Sequence, residues 1–266
     1  MSRRLIAWVL GASLAASCGS SAAGPGWSEV HLDVFAAASL SHVFPQIARA
    51  FSRDHRSVSV RFSFAGTDAV VTQLEEGAPA DVFAGASASY GERLFADHLV
   101  DRPVAFCTNR LIVILPVSNP AGVASLRDLA KPGVKLVVGA ETVPVGAYTR
   151  KVLANLDGVF GRGYATKVLA NVVSNEDNVE GVLTKVRLGE ADAGFVYVTD
   201  AGNAGSDVKV MALPPAAQAV ATYPIAVLSR SGQRTLAAEF VGFVLGSEGQ
   251  RILAEAGFGP AAAPVA

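Results

Sequence analysis

Apolar positions along the chain change period again and again between two and three to four residues, the pattern of strands alternating with amphipathic helices. "VHLDVF" (30–35) predicts a strand, and Leu40, Val43, Phe44, Ile47 and Phe51 then recur at helical spacing from Ser39 onward. "VSVRFSF" (58–64) alternates strictly and is followed by a helix through Val70, Val71 and Leu74; "ADVFAG" (80–85) is a third short strand. "LIVILP" (111–116) is a continuous apolar strand ended by a proline. The pattern then restarts with strands at 134–139, 171–173 and 193–198 and helices around 147–156, 161–170 and 179–188. Strands at 208–213 and 223–228 and helices at 233–245 and 248–256 complete the chain. Such alternation predicts an α/β protein with mainly parallel sheets flanked by helices. Two series with no linker between them predict two lobes, with the chain crossing near 107–115 and 221–228.

In sheets of this kind ligands bind beyond the carboxyl ends of the strands, where helix N-termini converge. The loops at those ends carry a consistent chemistry. "AAASLS" (36–41) has three small residues and then Ser39, placed as an N-cap hydroxyl; "AGTD" (65–68) has a permissive Gly66 and the Thr67 hydroxyl. "AETVPVGAY" (140–148) is a Pro/Gly turn opening a helix with bare N–H groups near Val145 and Gly146. "SNEDNVEGVL" (174–183) opens another with the N–H of Val179, and "FVYVTD" puts Tyr197 at a strand end. Taken singly, a Ser or Thr at a helix start is a cap and a Tyr at a strand end is a core-edge residue. Together they offer only hydrogen-bond donors, from both series, with no Arg or Lys among them, which suits a small, fully deprotonated oxyanion.

Composition narrows the alternatives. The chain has 266 residues, 51% hydrophobic, with a formal charge of −1, so nothing points to nucleic acid. The four histidines, His31, His42, His55 and His98, form no metal-spaced pair and stand beside no plausible nucleophile. "GASAS" (85–89) lacks the second glycine of a nucleophile elbow, and neither a Walker A loop nor G-x-G-x-x-G occurs. The chain therefore reads as a binding protein rather than an enzyme, with no cofactor.

The first residues read as a targeting segment: Arg3 and Arg4, an apolar run from Leu5 to Ala16, then small residues before Cys18. "AASC" is similar to the lipobox of bacterial lipoproteins, with Ala15 where leucine is usual, so Cys18 is the expected lipidation site. Cleavage elsewhere in "AASCGSSAAG", discarding Cys18, is the alternative. Removing 1–17 takes two of 22 basic residues and none of 23 acidic ones. Cys107 is then the only unmodified cysteine and reads as a core residue.

"VFAAASL" (34–40), "SFAGTDAVVTQLEEGAPADVFAGA" (63–86), "VPVGAYTRKVL" (143–153), "DNVEGVLTKVRLGEADAGFVYVTDA" (177–201) and "YPIAVL" (223–228) resemble the molybdate-binding proteins of bacterial ABC importers. The likeness runs from about Val34 to Phe258. It implies the type II periplasmic-binding-protein fold, two α/β lobes joined by two crossing hinge strands. It implies a tetrahedral dianion, molybdate or tungstate, held by the hydroxyls of Ser39, Thr67 and Tyr197 and the backbone N–H groups of Val145 and Val179. The implied partners are the importer's permease and its ATPase, and the membrane through a lipid anchor. The implied location is extracytoplasmic and the implied state a monomer. The expected division is 1–17 signal peptide, 18–29 flexible tether, 30–111 plus 224–266 lobe one, and 112–223 lobe two.

One residue departs from the family pattern. "GTD" stands where "GSS" is common, so Asp68 replaces a serine. Three readings are open: Asp68 points away and favours its own helix N-terminus; it accepts a proton from phosphate or arsenate and shifts specificity; or it ligates the metal centre directly. The first is the expectation taken here, and a receptor for phosphate or sulfate is the alternative function.

Overall fold

The computed structural model describes residues 29–261; the leader, Cys18 and most of the predicted tether lie outside the described residues. β1 (Val30–Ala37) leads through a 3-10 turn at Ala38–Leu40 into α1 (Phe44–Phe51). β2 (Val58–Ala65), α2 (Thr67–Glu75), β3 (Val82–Ala84), α3 (Ala88–Ala96) and β4 (Val104–Pro116) follow. Then come β5 (Leu136–Gly139), α4 (Pro144–Phe160), α5 (Tyr164–Leu169), β6 (Val172–Glu176), α6 (Val179–Arg187), β7 (Ala193–Tyr197) and α7 (Val198–Ala204). β8 (Val208–Met211), β9 (Val220–Val227), α8 (Arg234–Leu245) and α9 (Ser247–Glu255) close the chain.

The strand order is β2-β1-β3-β9-β4-β7-β5-β6, with β8 also on β4. β1 runs parallel to β2 and β3, and β5 parallel to β6 and β7; β9 is antiparallel to β3 and β4. The long β4 joins two halves: Val104–Arg110 pairs with β9, whereas Leu111–Pro116 pairs with β7 and β8. β4 thus carries the chain into the second half and β9 returns it. These are the crossing segments that the sequence predicts, and the architecture is α/β as expected, but the sheet is mixed rather than mainly parallel, because β4 and β9 join the two parallel sets through antiparallel pairings.

The inward positions follow from the alternation. Leu32, Val34 and Ala36 of β1 are fully buried on one face, and Phe44, Ile47 and Phe51 carry the apolar stripe of α1 beneath them. The Phe44 ring sits 5.8 Å from Phe106 and 6.3 Å from Phe240, joining α1, β4 and α8 in one core. Each such ring contributes about 1.5–3 kcal/mol by leaving water. Cys107 is buried in the same core, which pushes its thiol pKa up and keeps it protonated.

Two helices escape the sequence pattern. α3 starts in "GASASYGERL", where small residues mask the apolar stripe, and its buried positions are only Gly91 and Leu94. α7 follows Tyr197 without a turn signal, so the chain passes from strand to helix at that residue.

Candidate functional site

The carboxyl ends of β1, β2, β5, β6 and β7 face one another across a cleft with a cavity of about 20 Å³. Ser39, Thr67, Val145, Val179 and Tyr197 all line it, so the five positions singled out in the sequence are brought together. Among the described residues, no charged side chain lines it. By the same measure one water needs about 10–15 Å³, so a solute here leaves its hydration shell outside.

Each donor is positioned by a local reason. Thr67 is the first residue of α2 and is 1% exposed; its Oγ1 accepts the N–H of Ala86 at 3.1 Å. That bond uses a lone pair and leaves the hydroxyl proton free for a ligand. Val145 follows Pro144 at the start of α4, and Val179 is the first residue of α6. N–H groups in a first turn have no intrahelical acceptor, and they carry the positive end of the helix dipole. Asn178 caps α6 by accepting the N–H of Gly181 at 3.1 Å, which leaves the earlier N–H groups to the cavity. The start of α4 is pressed onto the end of β5: a Cβ on Gly146 would lie 1.8 Å from the Ala140 carbonyl oxygen. Only glycine lets those N–H groups sit so deep.

Tyr197 is 1% exposed and its hydroxyl makes no hydrogen bond of ordinary length among the described residues, although the Tyr223 hydroxyl is near enough to act on its pKa. Burial pushes its pKa well above the ordinary phenol value, so it remains a neutral donor in the wall of the cavity. An unmet buried hydroxyl costs about 1–3 kcal/mol, a cost that a bound acceptor removes. Behind it, Asp200 is fully buried and accepts the Tyr197 N–H at 2.9 Å. Burial raises the Asp200 pKa well above the carboxylate range, which favours the neutral acid and spares the cavity a negative charge.

Two local expectations are corrected. Ser39 is not an N-cap: it lies inside the 3-10 turn, whose cap position is Ala37, and its Oγ instead bonds the Tyr223 hydroxyl at 2.9 Å. Gly66 needs no conformational licence, since its φ of −55° suits any residue. It is required by space, because a Cβ there would lie 2.3 Å from the Asp177 carbonyl oxygen on the opposite wall.

Asp68 is in the first turn of α2 but does not line the cavity. Its Oδ2 accepts from the Thr142 hydroxyl at 3.3 Å, across the cleft rim, and Oδ1 has no partner among the described residues. The Tyr90 hydroxyl donates to the Thr142 carbonyl at 2.5 Å, and burial together with the Asp68 charge raises the Tyr90 pKa. His42 Nε2 lies 3.8 Å from Glu180 Oε1 at another point where the two halves meet. Among the described residues no group of three or more His, Cys, Asp or Glu is arranged to hold a metal ion.

Sequence reasoning missed Tyr223. It sits mid-strand in β9 at an ordinary buried position, with no loop or glycine beside it to mark a site.

Comparison with known proteins places the chain. The family described as bacterial extracellular solute-binding protein matches residues 32–259. The molybdate-binding protein ModA of Mycobacterium tuberculosis is 40% identical over 264 residues, covering 97% of each chain. ModA of Escherichia coli is 30% identical, covering 97% of this chain and 99% of its own. The periplasmic molybdate-binding protein of Azotobacter vinelandii superposes with a TM-score of 0.72 at 22% identity, covering 85% of this chain and 98% of that one, a likeness of fold. This chain belongs to the bacterial extracellular solute-binding proteins.

Proposed function

We propose that this chain is the extracytoplasmic molybdate receptor of an ABC importer, handing its anion to a membrane permease driven by an ATPase. It binds and releases and catalyses nothing. The observation that carries the reading is the convergence of Ser39, Thr67, Val145, Val179 and Tyr197 on one cavity free of charged side chains, in a chain 40% identical to a mycobacterial ModA.

The chemistry of the cavity supports a fully deprotonated tetrahedral anion. Burying a charge is costly unless it is paired or hydrogen-bonded throughout, and hydrogen bonds to a charged acceptor each contribute about 1.5–3 kcal/mol. Three hydroxyls and two helix N-termini meet that need without a counter-ion. Tungstate has the same shape and charge and binds by the same donors. Among the described residues, 30–111 with the chain from 224 onward form lobe one and 112–223 lobe two, closing over the anion as a monomer. Cys18 carries the lipid that holds the receptor at the membrane. Replacing Cys18 with serine abolishes incorporation of labelled fatty acid; incorporation that persists would move the anchor elsewhere.

Calorimetric titration with molybdate, tungstate, sulfate and phosphate at neutral pH tests the receptor. Matched, tight binding of molybdate and tungstate with no phosphate signal is expected; sulfate or phosphate binding more tightly would overturn the reading. Asp68, bonded to Thr142 and set off the cavity, supports molybdate over phosphate, because an acceptor for a phosphate proton must touch the anion. Asp68→Ser therefore leaves the order of the four anions unchanged in the same titration. A change in that order would put the carboxylate back in the site.

A further inference from the structure

Tyr223 is fully buried in the returning strand β9, at the junction between the two sheet halves, paired with Cys107 of β4. Its ring is gripped edge-on by Tyr197 at 6.0 Å, Phe258 at 5.6 Å and Phe106 at 6.2 Å. Aromatic contacts on three sides fix where its hydroxyl points. That hydroxyl meets Ser39 Oγ at 2.9 Å, and both groups are out of water. Tyr223 is not among the residues lining the cavity, whereas Ser39 is.

A serine hydroxyl has one proton and two lone pairs. In a dry site its proton goes either to Tyr223 or to a ligand. Phenol is the more acidic of the two hydroxyls and so the better donor. Burial holds the Tyr223 phenol protonated, its pKa well above the ordinary value. With an anion in the cavity the favourable direction is Tyr223 O–H to Ser39 Oγ, and Ser39 O–H to the anion. Hydrogen bonds in such a chain polarise one another.

Resting on the molybdate-receptor reading, we propose that Tyr223 is a positioning residue for anion binding: by donating to Ser39 it commits the serine proton to the ligand. The serine is thereby held by the strand that returns the chain between the halves. Ligand recognition and the junction share one hydrogen bond.

A double-mutant cycle tests this. Molybdate and sulfate affinities are measured by calorimetry for the purified protein, Tyr223→Phe, Ser39→Ala and the double variant, with melting curves taken without anion. Tyr223→Phe is expected to weaken molybdate binding about three- to tenfold, and to weaken it no further once Ser39 is alanine. The same loss in both backgrounds, or no loss, overturns the proposal, because a packing role would not depend on the serine hydroxyl. Tyr223→Met, of similar bulk and without a donor, replaces phenylalanine in the cycle if that variant does not fold. If the unaltered protein binds sulfate and not molybdate, the receptor reading falls while the cycle, read with sulfate, still decides the role of Tyr223. If it binds neither, both fall.

Discussion

Substituting Ser39 with alanine and Thr67 with valine together is expected to weaken molybdate binding by two to four orders of magnitude. In the proposed site each hydroxyl proton serves a buried anion, and such a bond contributes about 1.5–3 kcal/mol, so the pair amounts to about 3–6 kcal/mol of affinity. Water does not substitute easily, because a cavity of about 20 Å³ has room for only one or two water molecules. The effect on folding is smaller and has a separate source. Valine at 67 keeps the shape of threonine but strands the Ala86 N–H that Oγ1 accepts, and alanine at 39 leaves Tyr223 without its partner. The double variant therefore melts somewhat lower in the absence of anion, a cost read from thermal unfolding and kept apart from the affinity. Titration with molybdate after a folded baseline is confirmed decides the matter. An affinity unchanged in the double variant would mean that the anion does not sit in this cavity, whatever the family.

The two hydroxyls show how far the sequence carries and where it stops. That Ser39 and Thr67 are candidates for a ligand site is legible because both follow strands, and in α/β sheets the ends of strands are where ligands go. Val145 and Val179 are legible for a different reason: "VPVG" and "DNVEG" announce helix starts, whose N–H groups are unpaired by construction. The roles of all five came from the family resemblance; no spacing along the chain brings residues 39, 67, 145, 179 and 197 to one point. What stayed hidden is nonlocal. Ser39 looks like a cap when judged by its neighbours, yet its partner is 184 positions away. Tyr223 sits in "YPIAVL" as one more alternating core residue, and only the closing of β9 against β4 brings it to Ser39. Asp68 could be weighed in sequence but not aimed, since Thr142 is 74 positions distant. α3 was missed because "ASYGERLFA" buries only Gly91 and Leu94, too weak a stripe for the helical period to register.

Gly66 carries the second large effect, and its sign differs between two measurements. Gly66→Ala is expected to weaken molybdate binding between about five- and 150-fold while leaving the anion-free protein as stable as before or slightly more so. The backbone at 66, with φ −55° and ψ 142°, lies where alanine is comfortable. At such positions removing a glycine stabilises by about 0.4–1 kcal/mol through the unfolded chain. The obstacle is across the cleft. The new Cβ would stand 2.7 Å from Asp68 Oδ1, which can swing aside, and 2.3 Å from the Asp177 carbonyl oxygen, which cannot move without its loop. That loop runs directly into Asn178 and Val179 at the start of α6, so relieving the clash displaces a donor from the cavity. Overpacking of this kind costs about 1–3 kcal/mol; with the lobes parting when the anion leaves, as proposed above, the cost falls on the closed arrangement in which the two walls meet. An anion-free melting temperature that holds or rises, together with weakened titration, is the expected signature. A fall in melting temperature with affinity intact would reverse the assignment, making Gly66 a requirement of folding rather than of the approach of the two walls.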